Sequence, residues 1–285
     1  MRVPNTILDQ IIATHELGVP VVHRAGFEPE SVDVAIAVEQ YRWFWKPKDV
    51  KLVLLAESHV HTTSDDYNTQ LDISQITSLI ADTPFAAGPD QPSLFHNYVR
   101  LVYCLGYGEM SLIYEDTIPK LTDDESTWSS SNKGTYQYWS QLFGALAGTG
   151  SQPKAEHRIP WKIKTLTEMY RKGIWLLDAS VHAIYRRHNT AIMGNDKNLL
   201  HQQWWDGYGK FILFQGNNAQ IWVIGKGVYN ALTNCSTEFA HLANGWVYQP
   251  NARITNETRN EVFLPLKSYA DSLPDASHDG RVNVI

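Results

Sequence analysis

The sequence predicts an α/β protein, a three-layer α/β/α domain built on a short, mainly parallel, four-stranded central sheet. Four apolar runs carry that expectation: KLVLLAESHVH (Lys51 to His61), GIWLLDAS (Gly173 to Ser180), QIWVIGKG (Gln220 to Gly227) and GWVYQPNAR (Gly245 to Arg253). Short continuous runs rich in Val, Ile, Leu and Trp, bounded by turn residues, are the pattern of strands buried on both faces. Each run ends on a polar cluster, and in open α/β sheets the ligand site lies beyond the carboxyl ends of the strands. Finally, 285 residues suffice to bury about three quarters of the unfolded surface, so one domain covering 1–285 is expected.

Residues 1–48 have helical patterning, clearest in SVDVAIAVEQYRWFW (Ser31 to Trp45), where Ser31 is the expected N-cap and Pro47 ends the pattern. After the first strand, HTTSDDYNTQ (His61 to Gln70) is a polar loop, and Pro92 to Gly106 opens and closes like a crossover helix. The Ser-, Gly- and acid-rich interval of about 119–155 is too long for an ordinary loop, so it is taken as an insertion with a helix over Tyr136 to Leu146. It is either a lid or a surface excursion. The tail after Lys267 is polar and expected to be loosely ordered.

A net charge of −6 argues against a surface coated in basic charge but leaves room for local patches. Two are visible: Lys154 to Lys172, and the trio Arg186, Arg187, His188. The two cysteines, Cys104 and Cys235, cannot build a four-cysteine metal site and suit a reducing compartment. No signal-peptide pattern opens the chain and no apolar stretch approaches about 18 residues, so a cytoplasmic protein with no membrane partner is expected. Some of the ten tryptophans could stack on bases, although most are expected in the core.

Taken in order, AESHVH, LLDA, WVIGKGVYNAL and YQPNAR resemble the uracil-DNA glycosylase superfamily across about residues 45–255. In that family the first strand ends in a GQDPYH-like or GEAPG-like motif carrying the catalytic carboxylate or its water. A later LLLN-like strand reads the base, and an HPS-like loop enters the minor groove. The resemblance implies a DNA glycosylase that flips a base out of DNA and leaves an abasic site, using no cofactor and no metal. Glu57 matches the acidic position of the GEAPG form, and Ser58 the Asp position of the GQDPYH form. Phe85 in TPFAAG resembles the segment that supplies the base-stacking ring, with Tyr67 as the alternative. Lys226 and the loop Gln249, Pro250, Asn251, Ala252, Arg253 fall where DNA is held. The chain departs from the family at Ala56, Ser58, His59 and in QPN replacing HPS.

The chemistry supports Glu57 without the family. Breaking the bond between sugar and base puts positive charge on the sugar and negative charge on the base, so a carboxylate by the sugar and donors by the base both favour the transition state. His61, Asp65 and Asp66 are reserves for the same task. Asp178 stands where uracil-removing relatives carry Asn. A carboxyl group accepts from the exocyclic amine of cytosine, and with a raised pKa it could also donate to the ring nitrogen. A modified cytosine is therefore expected as the target, such as the hydroxymethylated or glucosylated bases of phage DNA, since removing ordinary cytosine would damage the host genome. Phage defence would be the setting.

Three other readings stay open. The chain could repair uracil or a damaged base. ESHVHTTSDD also resembles the DLHVHTTYSDG signature of polymerase-and-histidinol-phosphatase-type phosphoesterases, in which His59 and His61 would bind divalent metal. A non-enzymatic DNA-binding member of the same fold is the third. No G-x-S-x-G elbow, P-loop or G-x-G-x-x-G fingerprint occurs.

Overall fold

The structure, a computed structural model, describes residues 3–86, 96–118, 132–186, 190–214 and 219–274. Four strands, β1 (Leu52–Ala56), β2 (Ile174–Asp178), β3 (Gln220–Ile224) and β4 (Ala243–Val247), form one sheet in the order β2-β1-β3-β4. All three pairings are parallel. With helices packed over this sheet, the fold is the three-layer α/β/α architecture expected from the four runs. Every residue of β1 and β2 is buried, which is why those stretches are apolar without alternation.

The chain leaves β1 toward β2 on one side, then crosses to β3 on the other. The carboxyl ends of β1 and β3 therefore flank the point where the winding reverses, the usual place for a ligand crevice. Register sets Ala56 opposite Asp178, so Glu57 and Asp178 emerge side by side.

Local chemistry explains the main helices. The first two span Asn5–Arg24 and Val32–Phe44, and Ser31 Oγ accepts from the Val34 amide at 3.3 Å as the expected N-cap. Helix Ala155–Lys172 stops at Gly173, whose φ of 74° is left-handed and whose Cβ would meet the Asp49 carbonyl at 2.5 Å. Only glycine fits this entry to β2. Among the described residues no helix is long and apolar enough to cross a membrane.

Several expectations need correction. Residues 96–106 form turns and bends in place of the helix expected over Pro92 to Gly106, whose first residues lie outside the described ones. Residues 98–105 are buried without interruption, leaving no solvent face for a surface helix, and their backbone pairs elsewhere. Tyr98 N donates to Thr69 O at 2.9 Å, and Val60 N to Arg100 O at 3.1 Å. The loop after β1 holds a one-turn helix, Ser64–Asn68, closed by a Thr63/Asp66 capping box. Just beyond Lys267 the chain continues in helix Asn256–Ser272, because Leu266 and Ala270, four apart, bury one face, and residues 275–285 of the expected loose tail lie outside the described ones.

Within the insertion, residues 119–131 lie outside the described residues. The expected helix is present as a π-helical stretch, Tyr138–Phe143, running into Gly144–Ala147. Half of the Lys154 to Lys172 patch is taken up in ion pairs. Arg158 and Lys162 both meet Glu109 at 2.8 Å, and Arg171 meets Glu168 at 2.6 Å.

Phe85 is a core residue, 3% exposed, with Trp45, Tyr170 and Phe44 rings 4.5, 5.0 and 5.7 Å away. A ring enclosed by three others cannot stack on a ligand. Phe85→Leu is expected to cost about 1–2 kcal/mol in a urea melt and leave activity within about twofold. A loss of activity without loss of stability would restore its role in the site.

Candidate active site

A cleft of about 560 Å³ opens at the carboxyl ends of the strands. Glu57, Ser58, His59 and Asp178 line its base, and Tyr138, Tyr185 and Gln249 are among its walls.

Glu57 is the first residue after β1 and is 4% exposed. Groups from three distant segments hold its carboxylate. Lys197 Nζ lies 2.9 Å from Oε1, with His201 Nε2 at 4.0 Å. The Tyr185 hydroxyl donates to Oε2 in a short hydrogen bond, and Gln249 Nε2 donates to the same oxygen at 3.2 Å. Burial pushes the carboxyl pKa up, but Lys197 and the Tyr185 hydrogen bond outweigh it, and the group is held below its ordinary value. Glu57 is thus an oriented, ionised carboxylate in a cleft.

Asp178 belongs to a buried chain of charges. Arg42, from the second helix, pairs closely with both Asp178 and Glu39. His59 Nδ1 lies 3.7 Å from Asp178 Oδ2, and His59 Nε2 donates to Glu30 Oε2 at 2.9 Å. Glu30 also accepts from the Thr62 and Ala183 amides at 2.6 and 3.1 Å, while Tyr208 donates to Glu39 at 2.8 Å. Burial would raise the Asp178 pKa, yet Arg42 and His59 bring it below its usual value. This corrects the raised pKa expected from sequence: Asp178 is an ionised acceptor, 3% exposed, and has no proton to donate. His59 carries the proton instead. Burial opposes its charge, but Glu30 and Asp178 push its pKa up to about 9. Its Nδ1 is buried without a hydrogen bond among the described residues.

The remaining candidates divide. Ser58 Oγ donates to His59 O and accepts from the Ile184 amide, both at 2.9 Å, so it braces the turn. His61 is half-buried and outside the cleft lining, and burial first, then Arg186, pushes its pKa down to about 4. Tyr67 packs half-buried against the core, away from the cleft lining. Asp66 is consumed by Arg100, at 2.9 Å, and Asp65 is exposed. Gln249 and Asn251 line the cleft, Pro250 is buried, Ala252 is half-buried, and Lys226 and Arg253 are exposed. Arg259, unanticipated, pins this loop by donating to the carbonyls of Gln249, Pro250 and Ala252 at 3.1, 2.9 and 2.7 Å.

The paired-histidine metal site does not fit. His61 lies outside the cleft lining, and no three His, Cys, Asp or Glu side chains among the described residues gather in ligand geometry.

Sequence reasoning also missed Lys197, Tyr185, Arg42, Glu30 and Tyr138. Lys197 and His201 left a signal, since their spacing of four puts both on one helix face, and both approach Glu57. Tyr138 rises from the π-helical stretch into the cleft. Burial, then Asp178, Tyr185 and Glu57, raise the pKa of its hydroxyl, which stays protonated.

The histidines give the fold a stability optimum. His59, raised from 6.5 to about 9, contributes fully below pH 6.5 and loses its contribution as pH rises through 9. His61 and His182, lowered from 6.5 to about 4, remain neutral in the fold while the unfolded chain takes up protons, so stability falls as pH drops from 6.5 to 4. Glu30, lowered from 4.5 to about 2, loses its contribution as pH falls from 4.5 through 2. Urea midpoints should peak near pH 6.5, with a fall on the order of 3 kcal/mol toward pH 9 from His59. A flat profile from pH 6.5 to 9 would show His59 to be neutral.

No family description, no curated protein and no solved structure matches the chain.

Proposed function

We propose that this chain hydrolyses an N-glycosidic bond, taking a base flipped out of DNA into the cleft and leaving an abasic site. The observation that carries this reading is the ionised Glu57 carboxylate at the base of the cleft, held on both oxygens by Lys197, Tyr185 and Gln249. As the bond breaks, its electron pair leaves with the base and the sugar becomes cationic. Glu57 stabilises that cation and holds the water whose oxygen bonds to the sugar, accepting the proton the water releases.

The base proposed is a modified cytosine, hydroxymethylated or glucosylated. Asp178 offers an ionised acceptor, and protonated His59, ion-paired with it at 3.7 Å, carries on Nδ1 a donor that makes no hydrogen bond among the described residues. That order suits an exocyclic amine beside an acceptor ring nitrogen and opposes the carbonyl and imide of uracil. Tyr138 takes the stacking place that Phe85 cannot fill, and the loop Gln249 to Arg253 grips the strand.

The test is incubation with DNAs carrying uracil, cytosine, hydroxymethylcytosine or glucosylated hydroxymethylcytosine, followed by alkali to cut abasic sites. Cleavage of a modified-cytosine DNA supports the reading. Cleavage of uracil DNA alone would remove the Asp178–His59 argument, and no cleavage of any of them would favour a binding protein in which Glu57 is a structural ion pair.

A further inference from the structure

Among the described arginines Arg253 is exposed, and Arg186 stands apart from the rest. Arg42, Arg100, Arg24, Arg158 and Arg171 each meet a carboxylate, and Arg259 is consumed by three carbonyls. Arg186 lines the cleft and is half-buried, yet no carboxylate among the described residues pairs with it. Its Nη1 donates to the Glu28 carbonyl at 2.8 Å, and its guanidinium sits 5.3 Å over the Phe27 ring. Nε and Nη2 are buried and make no hydrogen bond among the described residues.

A partly desolvated cation lacking an anion is costly, and so are unmade buried hydrogen bonds. Glu30, the acid whose charge acts on it, is already taken by His59 and two backbone amides. The guanidinium is nonetheless held in place. Arg186 N donates to Thr190 O at 2.8 Å, and Ile192 N to Ile184 O at 3.0 Å, so two paired strands of backbone carry it. The two open donors, Nε and Nη2, form one edge of the guanidinium fork, the edge that meets two oxygens of a carboxylate or phosphate at once. Tyr185, the preceding residue, holds Glu57.

We propose that Arg186 is a phosphate-binding residue of the cleft, taking two oxygens of a phosphate ester on Nε and Nη2. The proposal rests on the reading of this cleft as a nucleotide site and names a subsite within it. The ligand is a phosphate group, whether of a polynucleotide backbone or of a small phosphate ester, placed beside the sugar that Glu57 faces.

Binding without turnover tests this. The full chain and its Arg186→Met and Arg186→Lys variants are titrated with inorganic phosphate, following the arginine Nε–H resonances, and with a short single-stranded oligonucleotide at several salt concentrations. Wild type should show one arginine resonance moving with phosphate and absent from both variants. Arg186→Met should weaken oligonucleotide binding about tenfold and reduce the salt slope by about 0.7, and Arg186→Lys should recover part of both. Arg186→Met should also melt no lower than wild type, because it removes an uncompensated, partly desolvated charge. If wild type binds the oligonucleotide and Arg186→Met binds it equally well with the same slope, the subsite is overturned and the nucleic-acid reading stands. If wild type ignores the oligonucleotide but phosphate moves the Arg186 resonance, the subsite stands for a small phosphate ester and the nucleic-acid reading falls. A lowered melting temperature with binding unchanged would make Arg186 structural.

Discussion

Replacing Glu57 by Gln is expected to slow base release by about 10³-fold while leaving DNA affinity within about threefold. The swap keeps the volume and one acceptor oxygen, so the Tyr185 and Gln249 contacts survive in part, but it removes the charge proposed to balance a sugar cation. Lys197, a fifth exposed, can turn to solvent, so the expected stability cost is only about 1 kcal/mol. Because Glu57 is held below the ordinary carboxyl value of 4.5, the acid limb of the wild-type rate profile should lie below that pH. Single-turnover release of the base across pH 4 to 8 checks both statements. An unchanged rate in the variant would show that another group does the chemistry.

The second large effect is on stability. Arg42→Met leaves the Asp178 and Glu39 carboxylates buried with no cation between them, at an expected cost of about 3–5 kcal/mol. For a chain of this size that lowers the melting temperature by roughly 10 °C. The deficit has a pH signature. Without Arg42 both carboxyl groups have folded-state pKa values above their unfolded ones, so what stability they can give is present at acid pH and lost as pH rises through those values. Melts at pH 4.5 and 7.5 should therefore differ less from wild type at the lower pH. A double variant, Arg42→Met with Asp178→Asn, should recover part of the loss, since it removes one stranded charge. Equal deficits at both pH values would mean that the chain of charges is not ionised as described.

The order of the strands along the chain, their burial and their parallel pairing follow from four apolar runs that obey a local rule. Strands covered on both faces must be apolar throughout, and turn residues must close them. Glu57 and Asp178 were legible for the same reason: a polar residue directly after such a run lies at the crevice end of the sheet. Gln249 followed likewise, though as a DNA contact and not as a partner of Glu57.

Phe85, the segment 96–106 and the Lys154 to Lys172 patch were misjudged because their fate depends on what packs against them. Phe85 met three rings, the 96–106 segment was enclosed by the core, and Glu109 neutralised two of the basic residues. A patch of like charges in sequence says nothing about the acid that arrives from far along the chain: Glu109 lies 49 residues from Arg158 and 53 from Lys162.

By itself, then, the sequence determined the α/β class, the parallel strands and the carboxylates at their ends, because periodicity and strand termination are local properties of the chain. Tertiary structure alone decided the protonation of those carboxylates and the identity of their neighbours. Arg42 and Asp178 are 136 residues apart and Tyr185 and Glu57 are 128 apart, and electrostatic energy depends on distance in space, which no local pattern encodes.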